Sequence, residues 1–66
     1  MNTVRYIPKE KRLTILPNGK QPYILNLWDA ARVEEDVCPG HILIYNSDNT
    51  LIASAWNSKI EIVEEL

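Results

Sequence analysis

"DAARVEEDVCPGHILIYN", residues 29–46, is the stretch on which the fold turns. Its first eight residues, 29–36, carry helix formers and no alternation, so they predict one short helical turn. Asp29 stands where a side-chain oxygen can accept the first backbone N–H groups of a helix. The acidic end "EED" opposes the helix dipole, which keeps the turn short. Pro39-Gly40 stops it, and "HILIYN" reads as a strand. The stretch also holds the only cysteine and the only histidine, Cys38 and His41. It is therefore the most chemical segment of the chain as well.

Outward from this segment, period-2 alternation dominates and predicts strands. In "YILNLW" (23–28) Tyr23, Leu25 and Leu27 share one face, opposite Ile24, Asn26 and Trp28. In "TLIASAW" (50–56) Leu51, Ala53 and Ala55 oppose Ile52, Ser54 and Trp56. In "KIEIVEE" (59–65) Ile60 and Ile62 oppose Glu61. Turn chemistry fills the gaps. Asn18-Gly19 is the strongest short hairpin signal, because both residues tolerate positive φ. "NSDN" (46–49) is a polar loop, and "PKEK" (8–11) separates "VRYI" from "RLTIL". Strands are expected near 3–7, 12–17, 22–28, 41–46, 50–56 and 59–64. The fold class that follows is mostly β: a small antiparallel barrel or roll, SH3-like, of five to six short strands with one helical turn near 29–36. The alternative is an α+β open sheet completed by dimerisation. No internal repeat is visible, and residues 1–66 read as one small domain.

A chain of 66 residues buries only about 60% of its unfolded surface, so its stability is marginal without help. One cysteine excludes an internal disulfide. An efficient core, a partner or self-association remains, and 45% hydrophobic residues with two Trp and three Tyr support a core. The N-terminus has no apolar run of the signal-peptide kind. The longest apolar runs are far short of the roughly 20 residues of a membrane span. A soluble, cytoplasmic protein is expected.

Charge is divided along the chain. Residues 1–20 carry five basic groups (Arg5, Lys9, Lys11, Arg12, Lys20) against Glu10 alone, while residues 21–66 carry two basic and eight acidic groups. The basic hairpin could meet a phosphate backbone, with Arg5, Tyr6, Lys9, Lys11, Arg12 and Lys20 as the nucleic-acid-binding set. It could equally meet an acidic protein face, or pack beside the acidic C-terminal strand, or simply keep strand edges soluble. A pI of 5.2 argues against nucleic acid, whose binders are usually basic overall.

The catalytic classes fare worse. Cys-x-x-His offers two ligands where a structural zinc wants four. Pro39-Gly40 between the two residues marks a turn rather than a nucleophile–base pair. Two glycines cannot form a glycine-rich phosphate loop. No enzyme, metal or cofactor is expected. Trp28 and Trp56 lie opposite the clearest apolar faces of their strands. A one-sided sheet exposes both, and a closed barrel buries them. With Ile24 and Ile52 they form the candidate partner-binding set. The expected function is a non-catalytic protein-interaction module, a small regulator or inhibitor of a larger protein or assembly, with homodimerisation possible. Nucleic-acid binding by the basic hairpin is the second expectation.

Overall fold

Each of the six expected strand segments forms a strand over at least part of its length. The computed structural model describes residues 1–17, 19 and 25–64. Within them run β1 (Asn2–Ile7), β2 (Arg12–Leu16), β3 (Leu25–Trp28), β4 (Arg32–Glu35), β5 (Ile42–Tyr45), β6 (Leu51–Ala55) and β7 (Ser58–Ile62), with a 3₁₀ turn over Pro8–Glu10. Four strands form one sheet in the order β3-β2-β1-β7, and three form another in the order β4-β5-β6. The described strands thus make two packed sheets and no closed barrel. Nor is the pairing wholly antiparallel, because β7 runs parallel to β1. A parallel neighbour needs a long crossover, and here the whole second sheet supplies it.

The inner faces meet in one core: Val4, Tyr6, Leu13 and Ile15 from the larger sheet, and Ala30, Ile42, Ile44 and Ala55 from the smaller one and its approach. Leu27, Val33, Ala53 and Ile60 pack against its margin.

The expected helical turn at 29–36 is not formed. Asp29 takes φ 70°, a left-handed conformation that starts no helix. The next two backbone N–H groups are used across the molecule, Ala30 donating to the Lys11 carbonyl and Ala31 to the Tyr45 carbonyl. Arg32–Glu35 then pairs with β5, Arg32 opposite Tyr45 and Glu35 opposite Ile42. Val33 faces the core while Arg32 and Glu34 face out, a period of 2 hidden in a run of helix formers. Propensity is a weak prior, and one partly buried valine with a strand partner overrides it.

Pro39-Gly40 turns the β4–β5 hairpin. His41 N–H donates to the Cys38 carbonyl at 3.1 Å, and Gly40 has φ 84°. Proline second and positive-φ glycine third is the arrangement of a type II turn. The polar loop read at 46–49 forms. The Asn46 side-chain oxygen accepts the N–H groups of Asp48 and Thr50, each at 2.9 Å.

The β2–β3 connection is longer than a two-residue Asn18-Gly19 turn. Such a turn would pair Ile15 with Pro22, whereas Ile15 pairs with Leu25. An odd shift in register exchanges the two faces of a strand. The observed register places Leu25 and Leu27 inward and Asn26 and Trp28 outward. Asn18 and the part of the expected 22–28 strand before Leu25 lie outside the described residues.

The two crossings between sheets are built alike, though the sequence shows no repeat. β3 ends in Trp28, followed by Asp29 at φ 70° and by Ala30, which is fully buried and whose N–H reaches the Lys11 carbonyl at 3.0 Å. β6 is followed by Trp56, by Asn57 at φ 51°, and by buried Ser58, whose N–H reaches the Gly40 carbonyl at 2.9 Å. Lys11 and Gly40 themselves both have positive φ. Each crossing is therefore a tryptophan, a left-handed Asx residue and a buried small residue, latched to the turn before the preceding strand. Among these matched positions only the tryptophan is conserved in type, which is why the device is invisible in one dimension.

Candidate functional site

The Cys-x-x-His segment is absorbed by the hairpin. Cys38 is exposed at the turn. His41 sits one residue before β5. Its Nδ1 lies 3.0 Å from Asp36 Oδ2. The Ile42–Ala55 pair brings Trp56 next to it, and the rings stack at 3.7 Å between centroids and 8° between planes. One ring nitrogen and one ring face of His41 are thus engaged at the hairpin end. Among the described residues no three His, Cys, Asp or Glu side chains gather as for a metal ion.

Asp36 closes the same hairpin. Its Oδ1 accepts the Val37 N–H at 2.8 Å, and this bond, then His41, holds its carboxyl below the usual aspartate range. A carboxyl depressed in the folded state contributes stability above its unfolded pKa of about 4, and the contribution fades as pH falls through the lower folded value. Asp36→Asn is expected to lower the urea midpoint at pH 7. The gap from wild type should narrow on acidification below pH ~4. A gap that is unchanged at the lowest pH would exclude this role for the carboxylate.

The basic set is dispersed. Arg5 Nε pairs with Glu61 Oε1 at 3.0 Å, so the basic hairpin does pack beside the acidic last strand. Both side chains are about half exposed, and the pair is worth at most about 1 kcal/mol. Arg12 Nη2 lies 3.4 Å from Glu10 Oε2, with its guanidinium 5.7 Å from the Trp28 ring centroid. Lys11 Nζ is 3.5 Å from Ser47 Oγ, and that hydroxyl donates to Asp29 Oδ1 at 2.7 Å. Lys9 is exposed on the 3₁₀ turn. Tyr6 belongs to the core at 8% exposure. Burial pushes its hydroxyl above the usual tyrosine range, and its ring offers no open face to a base. Lys20 lies outside the described residues.

The candidate partner set divides between the two sheets. Trp28 stands on the outer face of the larger sheet, opposite Arg12. Trp56 stands on the outer face of the smaller, opposite His41. Each is 63% exposed, although each also packs one side on a cation-capable neighbour. Ile52 is the extra residue of a bulge in β6, where Tyr45 pairs with Leu51 and Ile44 with Ala53. Ile24 lies outside the described residues.

Two features escaped the sequence. On the smaller sheet's outer face Arg32 lies 4.1 Å over the Tyr45 ring, a contact that needed β4 to be a strand. On the larger sheet's outer face the register aligns Asn26, Thr14, Arg5 and Glu61 across four strands. Thr14 Oγ1 donates to Asn26 Oδ1 at 2.8 Å. A shallow groove of about 550 Å³ runs over this row, with Arg12, Ile7, Leu16 and Val63 also lining it. No protein-family model, curated protein or solved structure matches this chain.

Proposed function

We propose that this protein is a non-catalytic protein-binding module, a small regulator or inhibitor of a larger protein or assembly. The observation that carries the reading is the pair of tryptophans placed by the twin crossings, each 63% exposed. A tryptophan held by its neighbour along one side and open on the other is an anchor already ordered before binding. It can bury a large area at little further entropic cost. Leu51, Ile52 and Ile62 are also exposed, and in a chain this small such surface is better used in association than left in water. The same surfaces suit pairing with a second copy.

Affinity capture from the source cells tests the reading. The wild-type chain, Trp28→Ala and Trp56→Ala are used as baits in parallel, with size measured across protein concentration. A defined partner should be retained by the wild type. At least one of the two variants should lose it by about 2 kcal/mol, roughly thirtyfold, while remaining folded by circular dichroism. Capture that neither substitution alters would overturn the tryptophan-anchored module.

A further inference from the structure

The described strands leave four edges, and three carry devices that discourage strand addition. β4 presents Arg32, Glu34 and Glu35, and β7 presents Lys59 and Glu61. β6 has no charge but is broken by the bulge at Ile52. β3, "LNLW", has no charge, proline or bulge.

Both faces of the β3 edge are unfinished in ways that name an occupant. On the inner side Leu25 is 39% exposed and Leu27 only partly buried, so the apolar layer reaches the edge uncovered. On the outer side Trp28 and Asn26 are backed on β2 by Arg12 and Thr14. Arg12 leans toward the edge, over Trp28. Its one carboxylate contact is long, 3.4 Å, and its Nε is buried without a hydrogen-bond partner. A guanidinium has five donors, and among the described residues only Glu10 is shown pairing with one of them. An added strand would lie two strand spacings from β2, roughly 10 Å. That is within the combined reach of an arginine and a glutamate side chain.

We propose that β3 receives an extended segment of a partner protein in which apolar and acidic residues alternate. The apolar residues cover Leu25 and Leu27, and an acidic one pairs with Arg12 above Trp28. Main-chain bonds to β3 supply affinity, and the alternation supplies specificity. A carboxylate matches the planar fork of the guanidinium. A second copy pairing β3 with β3 is the weaker occupant, because that strand brings no carboxylate to Arg12, and the edges β4 and β7 that do carry carboxylates also carry the charges that discourage strand addition. The inference rests on the protein-binding reading and assigns that reading a strand edge and a partner chemistry.

Synthetic nine-residue peptides alternating Val with Glu, Val with Gln and Val with Lys test it, with amide chemical shifts recorded on the full chain. The Val/Glu peptide should shift and protect the amides of residues 25–28. It should also change Trp28 emission in Trp56→Phe protein. Arg12→Gln should weaken its binding about tenfold, bringing it close to the Val/Gln peptide, and added salt should weaken it further. Leu25→Lys, an inward charge at the edge, should abolish binding, and the amide spectrum reports that both variants are folded. Equal binding of the Val/Lys peptide, or an affinity untouched by Arg12→Gln, would overturn the acidic partner. Shifts confined to β4, β6 or β7 would overturn the β3 assignment while leaving the protein-binding module standing. Peptide-free dimerisation protecting the β3 amides would assign the edge to a second copy instead.

Discussion

Ile44→Ala is expected to remove about half of the folding stability of the protein. Ile44 is fully buried on the inner face of β5, between Val33 and Ala53 on the neighbouring strands. Truncating such an isoleucine costs about 2–5 kcal/mol, through lost transfer energy and the cavity left behind. A chain of 66 residues has only about 3–10 kcal/mol in total, so this one side chain can carry half of it. Leu43, one position earlier, faces outward and is partly exposed, and Leu43→Ala should cost less than about 1 kcal/mol. In urea, with a slope near 1 kcal/mol/M for a small domain, the Ile44 variant should lose about 2 M or more of its midpoint. The Leu43 variant should lose under about 1 M. Equal losses would mean that the two faces of β5 are not assigned as inner and outer.

Gly40→Val has the next largest expected effect, about 2 kcal/mol. Gly40 sits at φ 84°, where an L-residue is strained by roughly 1–2 kcal/mol and a β-branched one sits at the top of that range. Space adds little at Cβ itself, whose nearest neighbour would be Asn57 Cα at 3.6 Å. The valine methyls, however, would press on the backbone of Asn57 and Ser58. The Ser58 N–H bond to the Gly40 carbonyl should weaken with it, seen as faster amide exchange at Ser58. Gly40→Asn, which tolerates positive φ better, should cost about half as much. A valine variant as stable as wild type would show that the turn is not held in its left-handed form.

These two positions differ in how visible they were. The run "ILIY" marked a strand without telling its buried face from its outer one, and Pro39-Gly40 is a turn signal in any context. What Gly40 latches onto was invisible, since its carbonyl meets a residue eighteen positions later. The candidate partner residues Trp28, Trp56 and Ile52 were legible as off-face apolar residues. Their separation onto two sheets was not, and neither was the bare edge of β3, because edge status belongs to strand order. Tyr6 misled in the other direction. Its basic neighbours suggested an open aromatic, yet its place opposite Leu13 on β1 puts it in the core.

By itself the sequence determined the β class, most strand positions, the turns at 8–11, 39–40 and 46–49, and the absence of a Cys- or His-rich ligand set. All of these follow from local chemistry: period-2 alternation, fixed φ at proline, free φ at glycine, and residue counts. Only the tertiary structure decided that 29–36 is strand and crossing rather than helix, that β7 lies parallel to β1, and that the β2–β3 register turns Trp28 outward. In each case several local conformations differ by little in energy, and the choice falls to whichever one seals the core. Val33 selects the strand against Ile44, Ile60 seats β7 beside Val4, and Leu25 and Leu27 set the register of β3. Contacts distant in sequence make these decisions, and no local pattern of residues encodes them.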